Sequence, residues 1–98
     1  MSQKFFQGDH IFIGDMPIYM RHFRNNCEAI VLYTYAERCG ASGSNPHKQY
    51  GVYILPDGGE SAWYQEDQFK FLGSDKFDLL PKDHIARVNW ENKQARIK

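Results

Sequence analysis

Short apolar runs separated by glycine, proline and aspartate recur along the chain, which is the pattern of strands joined by turns. The first run is residues 10–13 (His-Ile-Phe-Ile), with a glycine-aspartate pair on each side. Residues 28–37 are rich in β-branched and aromatic side chains and predict one long strand. A helix is the alternative there, because Asn26 is placed to cap its start and Gly40 to follow its end. The strand is favoured, since isoleucine, valine, threonine and tyrosine are mediocre helix formers.

The middle of the chain predicts a hairpin followed by one more strand. Residues 49–55 form a strand-like run that ends in Pro-Asp-Gly-Gly at 56–59, the plainest turn signal in the sequence. Residues 61–64 are expected to pair back across this turn, and residues 69–72 form a further short strand. Two segments have the composition of loops: 14–19, which contains a proline, and the glycine- and serine-rich 40–47.

The last quarter of the chain allows two interpretations. Residues 74–80 predict one helical turn that ends before Pro81. Residues 84–98 fit a hairpin, with Val88 and Trp90 facing a second apolar pair across a turn at Asn92. A terminal helix is the alternative, because an aligned series recurs at helical spacing: Ile85, Val88, Asn92 and Ala95. The hairpin is favoured.

Composition narrows the class of protein. The chain has 98 residues, 42% of them hydrophobic and 15% aromatic, so it is too apolar for intrinsic disorder and predicts one domain spanning residues 1–98. Lysine plus arginine and aspartate plus glutamate both number 12, and the formal net charge is zero. This balance argues against a polybasic tail. No apolar stretch has the length of a signal peptide or a membrane span, so we expect a cytoplasmic protein without membrane contact.

Two cysteines, Cys27 and Cys39, bracket the predicted long strand. A continuous strand between them would separate their Cα atoms by roughly 40 Å. A disulfide needs Cα atoms within about 7 Å, so we expect both thiols to be reduced.

The order of these features resembles small SH3-like β-barrel domains. The resemblance is carried by residues 50–54 (Tyr-Gly-Val-Tyr-Ile), the glycine turn and residues 62–69 (Ala-Trp-Tyr-Gln-Glu-Asp-Gln-Phe). It implies a mainly β fold, a barrel of about five strands, with the core at 8–72 and a C-terminal extension, hairpin or short helix, at 74–98. Residues 28–40 and 61–69 also resemble segments of short uncharacterised phage and mobile-element proteins. Barrels of this kind serve many functions, so the resemblance does not select one.

An aromatic pair beside two acids is the densest candidate site. Adjacent strand residues point to opposite faces, so Trp63 and Tyr64 cannot both enter the core. An exposed aromatic next to Glu66 and Asp67 would suit an arginine or lysine of a protein partner. With Tyr53, these residues form the predicted partner-binding surface of a non-enzymatic interaction module. Ordinary packing of Trp63 in the barrel is the simpler alternative.

Nucleic-acid binding is the alternative function. Arg21 and Arg24 precede the long strand, and Arg87 belongs to a second basic group near the C-terminus. If the fold brings them together, they are suited to phosphate contacts. Several tyrosines would then offer stacking platforms for bases: Tyr33, Tyr35, Tyr50 and Tyr53.

The sequence carries no strong signal for catalysis, metal or cofactor. Its histidines and cysteines lack zinc-type spacing, and no nucleophile elbow or phosphate-binding glycine loop is present. We therefore expect neither an enzyme, a cofactor nor a metal site. Self-association through an exposed edge strand is a third possibility, because small barrels often close apolar edges by forming dimers.

Overall fold

The computed structural model of the chain describes residues 3–14, 26–40 and 48–97. Five antiparallel strands form one sheet in the order β4-β3-β2-β1-β5. The strands are β1 (His10–Ile13), β2 (Cys27–Thr34), β3 (Gln49–Ile54), β4 (Gly59–Gln65) and β5 (Phe69–Gly73). The helices are α1 (Tyr35–Cys39), α2 (Ile85–Ile97) and two 3₁₀ helices, Glu66–Gln68 and Phe77–Leu79.

The mainly β class is confirmed, as are most of the predicted strands. The strand at 10–13 has the predicted bounds, and the strand predicted at 49–55 ends one residue early, at Ile54. The hairpin across residues 56–59 pairs β3 with β4, and β5 lies at 69–73. The helical turn predicted within 74–80 is the second 3₁₀ helix. Of the loops predicted at 14–19 and 40–47, residues 15–19 and 41–47 lie outside the described residues.

The predicted long strand at 28–37 is wrong at its C-terminal end. Strand β2 stops at Thr34, and the chain turns into α1. The reason is a capping box: Thr34 Oγ1 accepts a hydrogen bond from the Glu37 amide (3.1 Å), while Glu37 Oε1 accepts one from the Thr34 amide (2.8 Å). Gly40 ends α1 at a positive φ of 92°, a conformation that favours glycine.

The predicted C-terminal hairpin is also wrong, because residues 85–97 form the helix α2. Its sequence is rich in alanine, arginine, glutamate, lysine and glutamine, which are good helix formers. Its packed side differs from the series aligned in the sequence. Ala86 and Trp90, one turn apart, pack on the sheet side, whereas Ile85 is 67% exposed.

Each face of the sheet carries a cluster of buried side chains. On the first face, Phe5 closes a cluster of inward-facing strand residues: Ile11, Ile13, Ala29, Val31, Tyr50, Val52, Ile54 and Tyr64. On the second, the helix face, Phe77, Leu80 and Ala86 pack against Ile30 and Leu32. Fully burying each large apolar side chain contributes about 1.5–3 kcal/mol, so both clusters stabilise the sheet.

The two cysteines lie at the ends of different elements. Cys27 begins β2 and Cys39 ends α1, and the two are not joined by a disulfide. The straight-strand geometry that the sequence predicts between them is wrong, because α1 occupies the last five residues. Within the described residues, no helix is long and apolar enough to cross a membrane.

Candidate functional site

Tyr64 and Trp63 take opposite faces of the sheet, and Tyr64 is the core residue. Tyr64 has no exposed surface, its hydroxyl lies 3.1 Å from Ser61 Oγ, and its ring packs on Phe69 at 6.0 Å between centroids. It therefore cannot contact a partner, which corrects its assignment to the predicted surface. Trp63 is only partly buried and belongs to neither of the two core clusters.

Trp63 instead contacts two tyrosines on the helix face. Its ring lies edge-on to Tyr33 (5.5 Å between centroids, 76°) and to Tyr35 (4.9 Å, 63°). Such edge-to-face pairs add about 0.5–1.5 kcal/mol beyond area burial. All three side chains remain partly exposed. We refer to Tyr33, Tyr35 and Trp63 as the aromatic cluster.

Two local features hold the cluster in place. Gly51 lies beneath Tyr33, where an added Cβ would be 2.3 Å from the tyrosine ring. Opposite Gly51, β4 carries one extra residue, because the register passes from Tyr50↔Tyr64 directly to Val52↔Ser61. A bulge of this kind redirects side chains locally. Helix α1 then supplies Arg38, whose guanidinium lies 3.9 Å from the centre of the Tyr33 ring.

A cleft of about 130 Å³ separates the aromatic cluster from the start of α2. The residues that line it include Tyr33, Arg38, Glu60, His84 and Ile85. Because Arg38 and Glu60 are both exposed, the cleft offers charges of both signs beside apolar surface.

One hydrogen bond to the ring defines the tautomer of neutral His84. Its Nδ1 accepts a hydrogen bond from the Ala86 amide (3.1 Å), one of the amides that the first turn of a helix leaves unpaired. The neutral ring therefore carries its proton on Nε2, which lies buried 3.6 Å from Glu60 Oε2. The ring also stands edge-on against Tyr53 at 5.3 Å between centroids.

The remaining residues of the predicted surface do not gather around Trp63. Tyr53 packs between His84 and the helix-face core. Glu66 and Asp67 both lie in the 3₁₀ helix after β4, but one carboxylate oxygen of Glu66 is buried without a hydrogen-bond partner, whereas Asp67 is exposed. The two acids therefore do not present one continuous negative patch.

Tyr50, another predicted stacking residue, is fully buried. Its hydroxyl oxygen accepts hydrogen bonds from the amides of Lys4 and Phe5, both at 3.2 Å. Burial raises the pKa of Tyr50, the two amide hydrogen bonds lower it, and the nearby Glu66 charge raises it further. Tyr50 thus anchors the N-terminal segment instead of offering a surface for bases.

Of the three arginines proposed for nucleic-acid contact, only Arg87 lies within the described residues. Arg21 and Arg24 fall outside them. Arg87 Nη1 donates to the carbonyl oxygens of Asp78 (3.1 Å) and Leu80 (2.9 Å), and its Nε lies 3.4 Å from Glu91 Oε2. The guanidinium therefore ties α2 to the preceding 3₁₀ helix and has few donors left for a phosphate.

The contact of Arg38 with Tyr33 and the packing of Tyr35 on Trp63 were not predicted from the sequence, because both depend on α1. The signal for α1 was present as threonine followed three residues later by glutamate, at Thr34 and Glu37. No local sequence pattern indicates that His84 and Glu60 lie together at the cleft, because β4 and the start of α2 are distant in sequence.

Among the described residues, no group of three or more histidine, cysteine, aspartate or glutamate side chains is placed to hold a metal ion. No known protein family, curated protein or solved structure matches the chain.

Proposed function

We propose that this chain is a non-enzymatic interaction module that binds a protein partner through the aromatic cluster and the adjoining cleft. Trp63 is the observation that carries the proposal. It is a large aromatic side chain on an edge strand, outside both core clusters, and two tyrosines fix its orientation. Tryptophan, tyrosine and arginine are the residues that most often dominate binding energy at protein interfaces. A pre-oriented aromatic also loses little conformational entropy on binding.

The same proposal includes an SH3-like barrel arrangement of the five strands. Its support is the connection between the two edge strands: β4 passes into β5 through only the 3₁₀ helix Glu66–Gln68. A three-residue link keeps the ends of the two edge strands close to each other. Phe69 at the start of β5 packs on Tyr64 and Tyr50, at 6.0 and 5.5 Å between ring centroids.

The cleft favours a peptide-like segment of the partner over a nucleic acid. Its walls place Tyr33 and Ile85 where an apolar side chain would insert, and Arg38 and Glu60 would pair with charges of either sign beside it. Nucleic-acid binding depends mainly on clustered positive charge. The chain has zero formal net charge, and Arg87 is engaged within the fold.

The test is selection from a displayed library of random peptides against the wild-type protein, followed by affinity measurements on single variants. Peptides that bind the cluster should lose about 30-fold or more in affinity to Trp63→Ala, because truncating a central aromatic typically costs at least about 2 kcal/mol. Leu79→Ala is the matched control, since Leu79 is an exposed apolar residue that does not line the cleft. Circular dichroism verifies that both variants are folded.

Two results would contradict this proposal. Selected peptides that bind Trp63→Ala and wild type equally would place their site elsewhere. Binding of a single-stranded oligonucleotide that Trp63→Ala abolishes, with no peptide selected, would replace the protein partner by a nucleic acid. That binding would weaken steeply as salt rises.

A further inference from the structure

Strand β5 is one edge strand of the sheet, and β4, which carries Trp63, is the other. Strand β5 pairs with β1 on one side, and no other strand of the described residues pairs with its outer side. Its sequence is Phe-Lys-Phe-Leu-Gly, in which Phe71 is 55% and Leu72 44% exposed. Open strand edges with exposed apolar side chains are templates for pairing with another chain, and Lys70 is the only charge along this one.

The hydrogen bonds of β5 show which backbone groups face outward. The Gly14 amide donates to the Gln68 carbonyl oxygen (3.0 Å), and Gly14 and Gln68 continue the register Ile13↔Phe69 and Phe12↔Lys70. Hydrogen-bonded and non-hydrogen-bonded pairs alternate along an antiparallel ladder. The backbone groups of Lys70 are therefore directed at β1, and those of Phe71 are directed away from it.

We propose that two copies of this chain associate by antiparallel pairing of their β5 strands about a two-fold axis at Phe71. In this register the two Phe71 residues exchange both of their outward backbone hydrogen bonds, and their rings lie side by side on one face. Lys70 then lies opposite Leu72 of the second copy. The two lysines avoid each other, and each lysine stem covers a leucine. The two sheets join into one continuous sheet.

A second copy is favoured over another partner because the edge is complementary to itself. In a symmetric antiparallel pair the outward amide and carbonyl of each Phe71 bond those of the other copy, and the zero net charge leaves no long-range repulsion between copies. The strand is about 17 Å long, so pairing buries less than the roughly 1,200–2,000 Å² of stable interfaces. We therefore expect a weak dimer whose dissociation constant is micromolar or higher.

Sedimentation equilibrium of the wild type from micromolar to millimolar concentration tests the proposal. The average mass should rise towards twice the 11.5 kDa of one chain. Phe71→Lys and Phe71→Glu should each remain monomeric, because like charges would meet at the axis. An equal mixture of the two should dimerise again, because opposite charges then meet there. Leu79→Lys, which adds a charge at an exposed apolar residue of the 3₁₀ helix Phe77–Leu79, should behave as wild type.

A monomeric wild type at millimolar concentration would overturn the proposal, as would self-association of Phe71→Lys as strong as that of wild type. Failure of the mixture to dimerise would overturn the pairing at Phe71. Amide hydrogen exchange gives a check that needs no variant. The Phe71 amide should become protected as concentration rises, whereas the Lys70 amide should be protected at every concentration. If the Phe71 amide were as protected in dilute as in concentrated solution, the outer edge of β5 would already be covered within one chain. That result would also overturn the proposal.

Discussion

Gly51 lies in β3 beneath the ring of Tyr33, and this contact leaves no room for a side chain. An added Cβ would lie 2.3 Å from the ring of Tyr33, a distance that side chains cannot reach without movement. Tyr33 in turn contacts both Trp63 and Arg38. The position of the aromatic cluster therefore depends on a residue that contributes no side chain to it.

We expect Gly51→Ala to lower the free energy of unfolding by about 2 kcal/mol, because it overpacks a filled site. Gly59→Ala is the matched control, since a Cβ at Gly59 meets nothing within 4 Å. Urea unfolding followed by far-UV circular dichroism measures both. In the Tyr33→Ala background the cost of Gly51→Ala should shrink, because the clashing ring is absent. An unchanged cost in that background would contradict the mechanism.

At the scale of elements, α2 is attached to the sheet mainly through its first half. Trp90 stacks on Phe77 at 5.4 Å between ring centroids and 17° between planes, whereas residues 91–95 are all exposed. Arg87 adds hydrogen bonds to the carbonyls that precede the helix. Among the side chains of α2, Trp90 should therefore contribute most to holding the helix on the sheet.

We expect Trp90→Ala to lower the free energy of unfolding by about 2 kcal/mol. This is less than the roughly 3–5 kcal/mol lost when a fully buried tryptophan is truncated, because Trp90 is partly exposed. Gln94→Ala, one turn later on the exposed end, should change stability by less than about 0.5 kcal/mol. Urea unfolding of the two variants makes the comparison. If Gln94→Ala were as costly as Trp90→Ala, the second half of α2 would have to make contacts of its own.

The clearest error of the sequence-based prediction concerns helix α2. Alternation of Val88 and Trp90 with later apolar residues suggested a hairpin, but residues 85–97 find no neighbouring strand, while Phe77 offers Trp90 a stacking partner. The end of β2 is a different case. Its cap at Thr34 and Glu37 is local, so the sequence contained that information, and the β-branched composition outweighed it.

At the scale of the whole molecule, the strands and the main turn could be predicted because their signals are local. The sequence could not show whether Trp63 or Tyr64 enters the core. That choice depends on the bulge opposite Gly51, which arises from the pairing of two strands. The cleft beside His84 likewise depends on how α2 docks. Non-local pairings of this kind leave no periodic pattern in either segment.

The buried residue Asp9 connects the N-terminal segment to β2. Asp9 is 7% exposed, its Oδ2 accepts a hydrogen bond from the Phe6 amide (2.9 Å), and its backbone carbonyl accepts one from Val31 in β2. Burial raises the pKa of Asp9; the Phe6 amide lowers it, and the charge of Asp75 raises it. The net result is a pKa above the usual value for aspartate.

This shift makes global stability depend on pH in a defined direction. The folded state binds the proton more tightly than the unfolded state, whose aspartate has a pKa of about 3.9. The stabilisation from protonated Asp9 is therefore complete below that pH and is lost as pH rises through the raised folded pKa. Asp9→Asn keeps an oxygen that accepts from Phe6 but carries no charge. Its stability relative to wild type should increase from pH 4 to about pH 7.

Urea unfolding of both proteins at about pH 4 and about pH 7 measures this trend. The change between the two pH values is more informative than the stability difference at either one, because the asparagine amide also buries an additional donor. Gln94→Ala is the control, since Gln94 is exposed and carries no titratable group, so its substitution should change stability equally at both pH values. If Asp9→Asn instead gained on wild type towards acid, the carboxylate would be stabilised by its partners in the fold. Burial would then not be the dominant influence on Asp9.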